Sequence, residues 1–210
     1  MHRDMTYAEA RSGLERYLTK GKFAKADVFI ANYRGHRFIV KDFGEKGFWE
    51  RTLIGRTVIG RECRAYGALE GLDGLPSRYK QLTPYCLAIE YLEGQDLGGV
   101  GRGEIGPGVV LQLERIINDL HERGWVHLDL QRRSNILLVD GAVFVIDLAS
   151  AFHPGGIPLL GCVLLKVLGF ADRLSLVKMK ALFAPELLSA GDRRLIRFRN
   201  LFMPTRWLHE

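Results

Sequence analysis

Two carboxylates and one carboxamide are the residues of this chain best placed to do chemistry. Asp129 and Asn135 lie within HLDLQRRSN, residues 127–135, and Asp147 closes the apolar run of AVFVIDLAS. Both segments read as short loops bounded by β-like stretches, Ile136 to Val139 and Ala142 to Ile146. Phosphoryl transfer requires such a set: a base that orients a hydroxyl, and two oxygen ligands for magnesium. A polar turn with no chemical task would not account for Asp147, because a buried and unpaired charge directly after VFVI is costly.

Around these loops the hydrophobic pattern supplies a scaffold. Val28 to Ala31 and Arg37 to Asp42 read as two strands about a turn at Arg34, Gly35 and His36, a hairpin. From Trp49 to Leu69 apolar residues recur at helical spacing (Leu53, Ile54, Val58, Ile59, Tyr66, Leu69). Gly55 and Gly60 weaken that helix by roughly 1 kcal/mol each relative to alanine, so it must lean on tertiary contacts. Tyr85 to Leu92 reads as a further strand. The glycine-rich stretch Gly94 to Gly108 is a natural boundary between residues 1–92 and 93–210. Val109 to Arg123 follows as an amphipathic helix ended by Gly124. Three more helices are expected: Ile157 to Leu168, Asp172 to Phe183 and Gly191 to Leu201.

Composition narrows the function classes. A chain of 210 residues can bury a real core, and 47% hydrophobic with 26% charged residues is ordinary for a globular protein. The net charge of +6 favours polyanionic company such as a nucleotide or an anionic membrane surface. No basic helix interleaved with aromatics argues for nucleic acid. Much of the excess is local, in Arg193, Arg194, Arg197, Arg199 and Arg206, where a solvated face is the plainer reading. Cys63, Cys86 and Cys162 are too scattered for a disulfide framework or zinc site; each sits in an apolar setting and reads as a buried free thiol in a reducing compartment. The start, MHRDMTYAEA, has no apolar core of a signal peptide. The apolar run Gly156 to Phe170 carries Lys166 and is short of the roughly twenty residues of a membrane span, so a buried helix is expected there.

LHERGWVHLDL, residues 120–130, resembles the catalytic-loop entry of the protein kinase superfamily, and the resemblance spans about Gly21 to Ala151. It implies an α+β, two-lobed kinase-like fold with ATP and Mg as cofactors. Lys41, in FIVKDF, matches the strand lysine that contacts the α- and β-phosphates. Glu62 falls on the apolar face of its helix, four residues from Val58 and from Tyr66, and a carboxylate pointing inward needs a partner. The family pairs such a glutamate with the strand lysine. AIEYLEGQDL resembles a hinge, with Ile89 as gatekeeper and the backbone of Glu90 and Leu92 on the adenine; Val28 and Leu137 would be roof and floor. Asp129 then corresponds to the catalytic base, Asn135 and Asp147 to the metal ligands, and His127 to a brace for the loop.

Departures from the family pattern are as informative. Leu128 replaces the arginine of the His-Arg-Asp triplet, and Asp147, Leu148 and Ala149 replace Asp-Phe-Gly. The interval from Asp129 to Asn135 is one residue longer than usual and contains Arg132 and Arg133; one of these could face the γ-phosphate, or both could be solvated. Before Lys41 there is no glycine-rich loop, only Gly21 with Ala24 and Ala26 where glycines would stand, and Lys22 and Lys25 as possible compensation. GRGEIG, Gly101 to Gly106, matches a phosphate-loop pattern without following a strand and reads as a decoy. Ala184, Pro185 and Glu186 spell the motif that closes an activation segment but lie too far beyond Asp147. The short C-terminal part makes the chain most similar to small bacterial kinases of the RIO and lipopolysaccharide-core type. The implied acceptor is a core sugar hydroxyl of a glycolipid or a protein serine or threonine. The implied location is cytoplasmic, with peripheral contact at the inner membrane face. A pseudokinase that binds nucleotide or acts as a scaffold is the alternative.

Overall fold

The computed structural model describes residues 4–155 and 160–202, and the side chains of residues 160 and 199–202 are not among those described. The chain divides into two compact units. One comprises Met1–Gly71, Leu75–Glu93 and Asp147–Ala149; the other comprises Leu72–Gly74, Gly94–Ile146 and Ser150–Glu210.

The first unit begins with a one-and-a-half-turn helix, α1 (Tyr7–Ser12), closed by a reciprocal Thr6–Glu9 capping box. Strands β1 (Leu14–Thr19), β2 (Asp27–Tyr33) and β3 (His36–Asp42) follow. Arg34 and Gly35 take φ values of 52° and 80°, the left-handed pair that matches a two-residue hairpin turn to the twist of its strands. Residues Glu50–Gly55 then form a π-helical turn that runs into α2 (Arg56–Ala68). The widened turn begins the helix expected from Trp49. Gly55 is obligatory there because a Cβ would stand 2.7 Å from that of Phe43. Strands β4 (Tyr79–Thr83) and β5 (Cys86–Glu90) complete an antiparallel sheet of order β1-β2-β3-β5-β4.

Period-two alternation sorts this sheet into two faces. Phe29, Ala31, Phe38, Val40, Cys86 and Ala88 share one face and pack with Met5 and Ala10. Burying a side chain such as Phe29 completely is worth about 1.5–3 kcal/mol, so this small cluster fixes the register. The opposite face carries Val28, Lys41 and Leu87 in cross-strand register, with Ile30, Ile39 and Ile89 one step along. Sheet register therefore puts Lys41 on the face away from the core cluster.

The second unit contains β6 (Gln95–Asp96), α3 (Pro107–Glu122), β7 (Ile136–Val139), β8 (Ala142–Val145), α4 (Leu160–Phe183) and α5 (Ala190–Phe202). Strands β6, β7 and β8 form an antiparallel sheet in that order. Pro107 opens α3 without losing a helical hydrogen bond, and Gly124, at φ 78°, ends it. Val110, Leu113, Ile116, Ile117 and Leu120 form its buried stripe. α3 packs on β8 and on α4, and Lys180 of α4 lies 2.7 Å from Glu114 of α3.

Several expectations need correction. Residues 160–183 form one continuous helix where two were expected, and residues 156–159 lie outside those described. The front half of α4 is not buried: Val163, Val167 and Phe170 are 59%, 62% and 47% exposed. Among the described residues no helix is long and apolar enough to cross a membrane. Only Cys86 is a buried thiol, since Cys63 is half-buried and Cys162 exposed. The Ala184, Pro185 and Glu186 stretch is a tight turn joining α4 to α5. Gly101 to Gly106 lead irregularly into α3. Arg193, Arg194 and Arg197 are exposed on α5, whereas Arg206 and the side chain of Arg199 lie outside the described residues.

Candidate active site

In the first unit, three distant residues meet. Lys41 Nζ lies 2.7 Å from Glu62 Oε1 and 2.7 Å from Asp147 Oδ1. β3 delivers the lysine, α2 the glutamate, and the segment after β8 the aspartate. Glu62 is fully buried, and its second oxygen has no hydrogen-bond partner. Burial therefore raises the Glu62 pKa above the usual carboxylate value, against the pull of Lys41. Burial alone would push the Lys41 ammonium down, but the charges of Glu62 and then Asp147 outweigh it and hold its pKa up. The lysine stays charged and is fixed from two sides. Asp147 sits at φ 64°, a left-handed conformation that aspartate tolerates better than most residues, with its Oδ1 also 3.4 Å from the Ala149 amide.

The end of this unit around Gly21 has a build that the sequence did not reveal. Gly21 is required by close approach, since a Cβ would stand 2.2 Å from the Lys25 carbonyl oxygen. Its amide donates to Asp27 Oδ1 at 2.8 Å. Lys46 Nζ donates to that same oxygen at 2.6 Å and to the Gly21 carbonyl at 2.7 Å. Ala24, at φ 62°, donates its amide to Glu50 Oε1 at 2.9 Å. Side-chain ties from Asp27, Lys46 and Glu50 thus shape a loop that lacks a run of glycines. Lys22 and Lys25 are exposed on it.

At the other end of the sheet face, Ile89 is buried in β5 and Val28 is half-buried in β2. The Glu90 carboxylate takes two bonds from Arg78, at 2.9 and 2.6 Å, and two from Ser77, both 2.9 Å. Burial acts to raise its pKa, but the Arg78 and Ser77 hydrogen bonds prevail and hold it below the usual value. The Glu90 amide donates to the Arg78 carbonyl at 2.7 Å, and Leu92 lies just beyond the strand.

In the second unit, the loop after α3 is braced from within. Asn135 is buried, and its Nδ2 donates to the Asp129 carbonyl at 3.0 Å and to Asp129 Oδ2 at 3.2 Å. These bonds leave the Asn135 amide oxygen as the group that could ligate a metal. Arg132 is a half-neutralising neighbour, 3.5 Å from Asp129 Oδ2, and Arg133 donates to the Val100 carbonyl. His127 is fully buried and its Nδ1 accepts from the Asp129 amide at 3.3 Å. The proton must then be on Nε2, which donates to the Ile146 carbonyl at 3.1 Å, one residue before Asp147. Leu137 lies in β7, half-buried and opposite Phe144.

One residue that organises this loop was missed. Asp172, buried in the middle of α4, accepts from the amides of His127 and Leu128, both at 2.8 Å, and from His121 Nε2 at 3.0 Å. Leu128 has φ 68°, so the turn into Asp129 is strained, and that carboxylate fixes it at the His127 and Leu128 amides. An aspartate inside an otherwise apolar helical stretch was the available signal.

Magnesium takes few protein ligands and completes its octahedron with phosphate and water oxygens. Among the described residues there is no group of three or more His, Cys, Asp or Glu able to hold a metal, and the amide and carboxylate oxygens of Asn135 and Asp147 are hard donors of the right kind.

No protein-family model matches the chain, and no curated protein matches it. Among solved structures it is similar to the Rio2 kinase from Chaetomium thermophilum, with TM-score 0.61 and 15% identity over 86% of this chain and 61% of that one. It is equally similar to the ADP/Mg2+-phosphoaspartate complex of Rio2 kinase from the same organism, with TM-score 0.60 and 14% identity over 86% of this chain and 59% of that one. The chain thus spans less than two thirds of these neighbours, and at such identity the likeness is one of fold. The antiparallel sheet, the helices and their order make this a small α+β chain with a protein kinase-like fold.

Proposed function

We propose that the chain is an ATP- and Mg-dependent phosphotransferase that moves the γ-phosphate to a hydroxyl. The observation that carries this reading is Lys41, held at 2.7 Å by both Glu62 and Asp147 from positions 21 and 106 residues away. A structural lysine needs one partner. A lysine clamped between a fully buried carboxylate and the partly exposed one of Asp147 is suited to exchange the second for a phosphate, while Glu62 keeps its position.

In this reading Lys41 binds the α- and β-phosphates, and the loop at Gly21, with Lys22 and Lys25, covers the triphosphate. Val28, Ile89 and Leu137 contact the adenine, which the backbone of Glu90 and Leu92 reads. Asn135 and Asp147 would hold Mg, whose charge would offset that of the phosphates. Asp129 orients the acceptor hydroxyl and takes its proton. Arg132, beside Asp129 and largely exposed, adds positive charge there. The acceptor is a glycolipid core sugar or a protein side chain. Exposed arginines on α5 support a glycolipid presented at an anionic membrane face, with the protein cytoplasmic and bound peripherally. The ADP and Mg2+ of the similar Rio2 complex support the choice of nucleotide and metal.

Calorimetry of ATP binding with and without Mg, on wild type and Asp147→Ala, tests the reading. Mg-dependent binding that is lost in the variant supports it. Binding indifferent to both identifies a pseudokinase, and no binding removes the nucleotide altogether. Asp129→Ala should keep ATP affinity within about twofold and lower turnover roughly 100- to 10,000-fold; unchanged turnover would remove Asp129 as the base.

A further inference from the structure

Away from the residues assigned above, α3 and α4 flank a cavity of about 400 Å³, the size of a small-molecule site. Ile117, Leu165 and Phe170 give it apolar walls. Gly169 faces the His121 ring, where a Cβ would stand 3.1 Å from Cε1, so a larger residue would press on that ring. Lys166, Arg173 and Asn118 line the cavity and are exposed. Among the described residues, Lys166 and Arg173 are in no ion pair, while Glu114, the acidic residue of the lining, is already paired with Lys180 at 2.7 Å. The cavity thus carries two uncompensated positive charges beside an apolar wall.

We propose that it binds a phosphate monoester, with the anionic end on Lys166 and Arg173 and the apolar body against Ile117, Leu165 and Phe170. Seven residues apart on one helix, the two cations start about 10.5 Å apart along the axis, with Gly169 between them. Side chains of their length both reach a ligand seated between them. A phosphate monoester carries about −1.5 to −2 at pH 7, which matches the two free charges; a carboxylate would leave one unbalanced. His121 forms part of the same wall, and its Nε2 contacts the carboxylate that holds the His127 and Leu128 amides. Occupancy therefore bears on the segment leading to Asp129. The site itself is independent of the phosphotransfer reading; only an effect on turnover rests on that reading.

Phenyl phosphate, titrated calorimetrically into the full chain, is the probe, with dihexanoyl phosphatidic acid as a second arm. Binding of either supports the site, and the tighter of the two tells a soluble ester from a lipid headgroup. The Lys166→Ala/Arg173→Ala double variant should lose at least tenfold in affinity, and Leu165→Trp, which fills the cavity, should lose binding with the charges intact. Backbone amide resonances of His127 and Leu128 should shift on binding to wild type. Asp147→Ala should bind phenyl phosphate normally even where it has lost ATP, which separates failure of this site from failure of the nucleotide site. Undiminished affinity in the double variant, displacement by ADP, or no binding of either probe would overturn the proposal.

Discussion

The two groups of polar residues, Lys41 with Glu62 and Asp147 on one hand and the 127–135 loop on the other, are held in place by different physics. The first is a cluster of charges brought together from remote parts of the chain, and its energy is electrostatic, set by burial and by pairing. The second is a local loop whose backbone is fixed by hydrogen bonds, most of them converging on one neutral imidazole and one buried carboxylate. Clusters of the first kind respond to the loss of either charge. Loops of the second kind tolerate changes of exposed charge, such as at Arg132, but not the loss of an acceptor. The chain thus keeps its charge chemistry and its geometric chemistry on separate supports.

Asp172→Ala tests that distinction most severely. It leaves the buried His127 amide and the half-buried Leu128 amide without an acceptor, at about 1–3 kcal/mol for the first and up to that for the second, so the chain should lose roughly 1–6 kcal/mol. Chemical denaturation measures this, and a loss below about 1 kcal/mol would show that the loop does not depend on that carboxylate. Next in size is the charged cluster. Lys41→Met and Glu62→Gln should each impair ATP binding, and the double variant should fall short of the sum by about 1–3 kcal/mol, read from affinities of all four proteins. Strict additivity would mean that the pair does not act as a unit.

The Glu90 carboxylate offers a milder test of charge, and here the sign can be worked out. Its pKa is lowered on folding, so its stabilising effect is present above the usual glutamate range and vanishes as pH falls through the folded value. Glu90→Gln should cost about 1–3 kcal/mol near pH 7 and progressively less on acidification below about 4.5, measured by denaturant titration at several pH values. A pH-independent difference would contradict the assignment. The smallest effect is expected on the helix that carries Glu62. Gly60 has open space around its Cβ position, so Gly60→Ala should stabilise by up to about 1 kcal/mol, whereas Gly55→Ala meets Phe43 and should destabilise; thermal melts distinguish the two.

Much of this architecture was legible in the sequence. The hairpin of β2 and β3, helix α3 with its terminal glycine, and the β7–β8 pair all follow from periodicity and turn residues. That Glu62 needs a buried partner follows from a carboxylate on an apolar helix face, and that the partner is Lys41 is what the family resemblance implies. Strands β1 and β4 did not show, because neither carries an alternating apolar pattern: β1 is mostly exposed and β4 is half-buried along most of its length. The long α4 was read as two helices for a definite reason. Gly169 looks like a helix stop and Asp172 like a helix N-cap, yet both serve tertiary contacts with His121 and the 127–135 loop. Local signals were spent on distant partners, which a sequence window cannot distinguish. The same holds for Asp27, Lys46 and Glu50, whose ties to the Gly21 loop are set by the fold.

The separation between Lys41 and Asp147 also has a consequence for the growing polypeptide. During synthesis the lysine and Glu62 emerge early, but Asp147 follows Lys41 by 106 residues, roughly 5–20 s later at ordinary elongation rates. Throughout that interval Lys41 has one of its two carboxylates, and the sheet that carries it lacks residues 147–149 of its own compact unit. A nascent chain halted anywhere before residue 147 would hold an unfinished triad, however well its strands had paired.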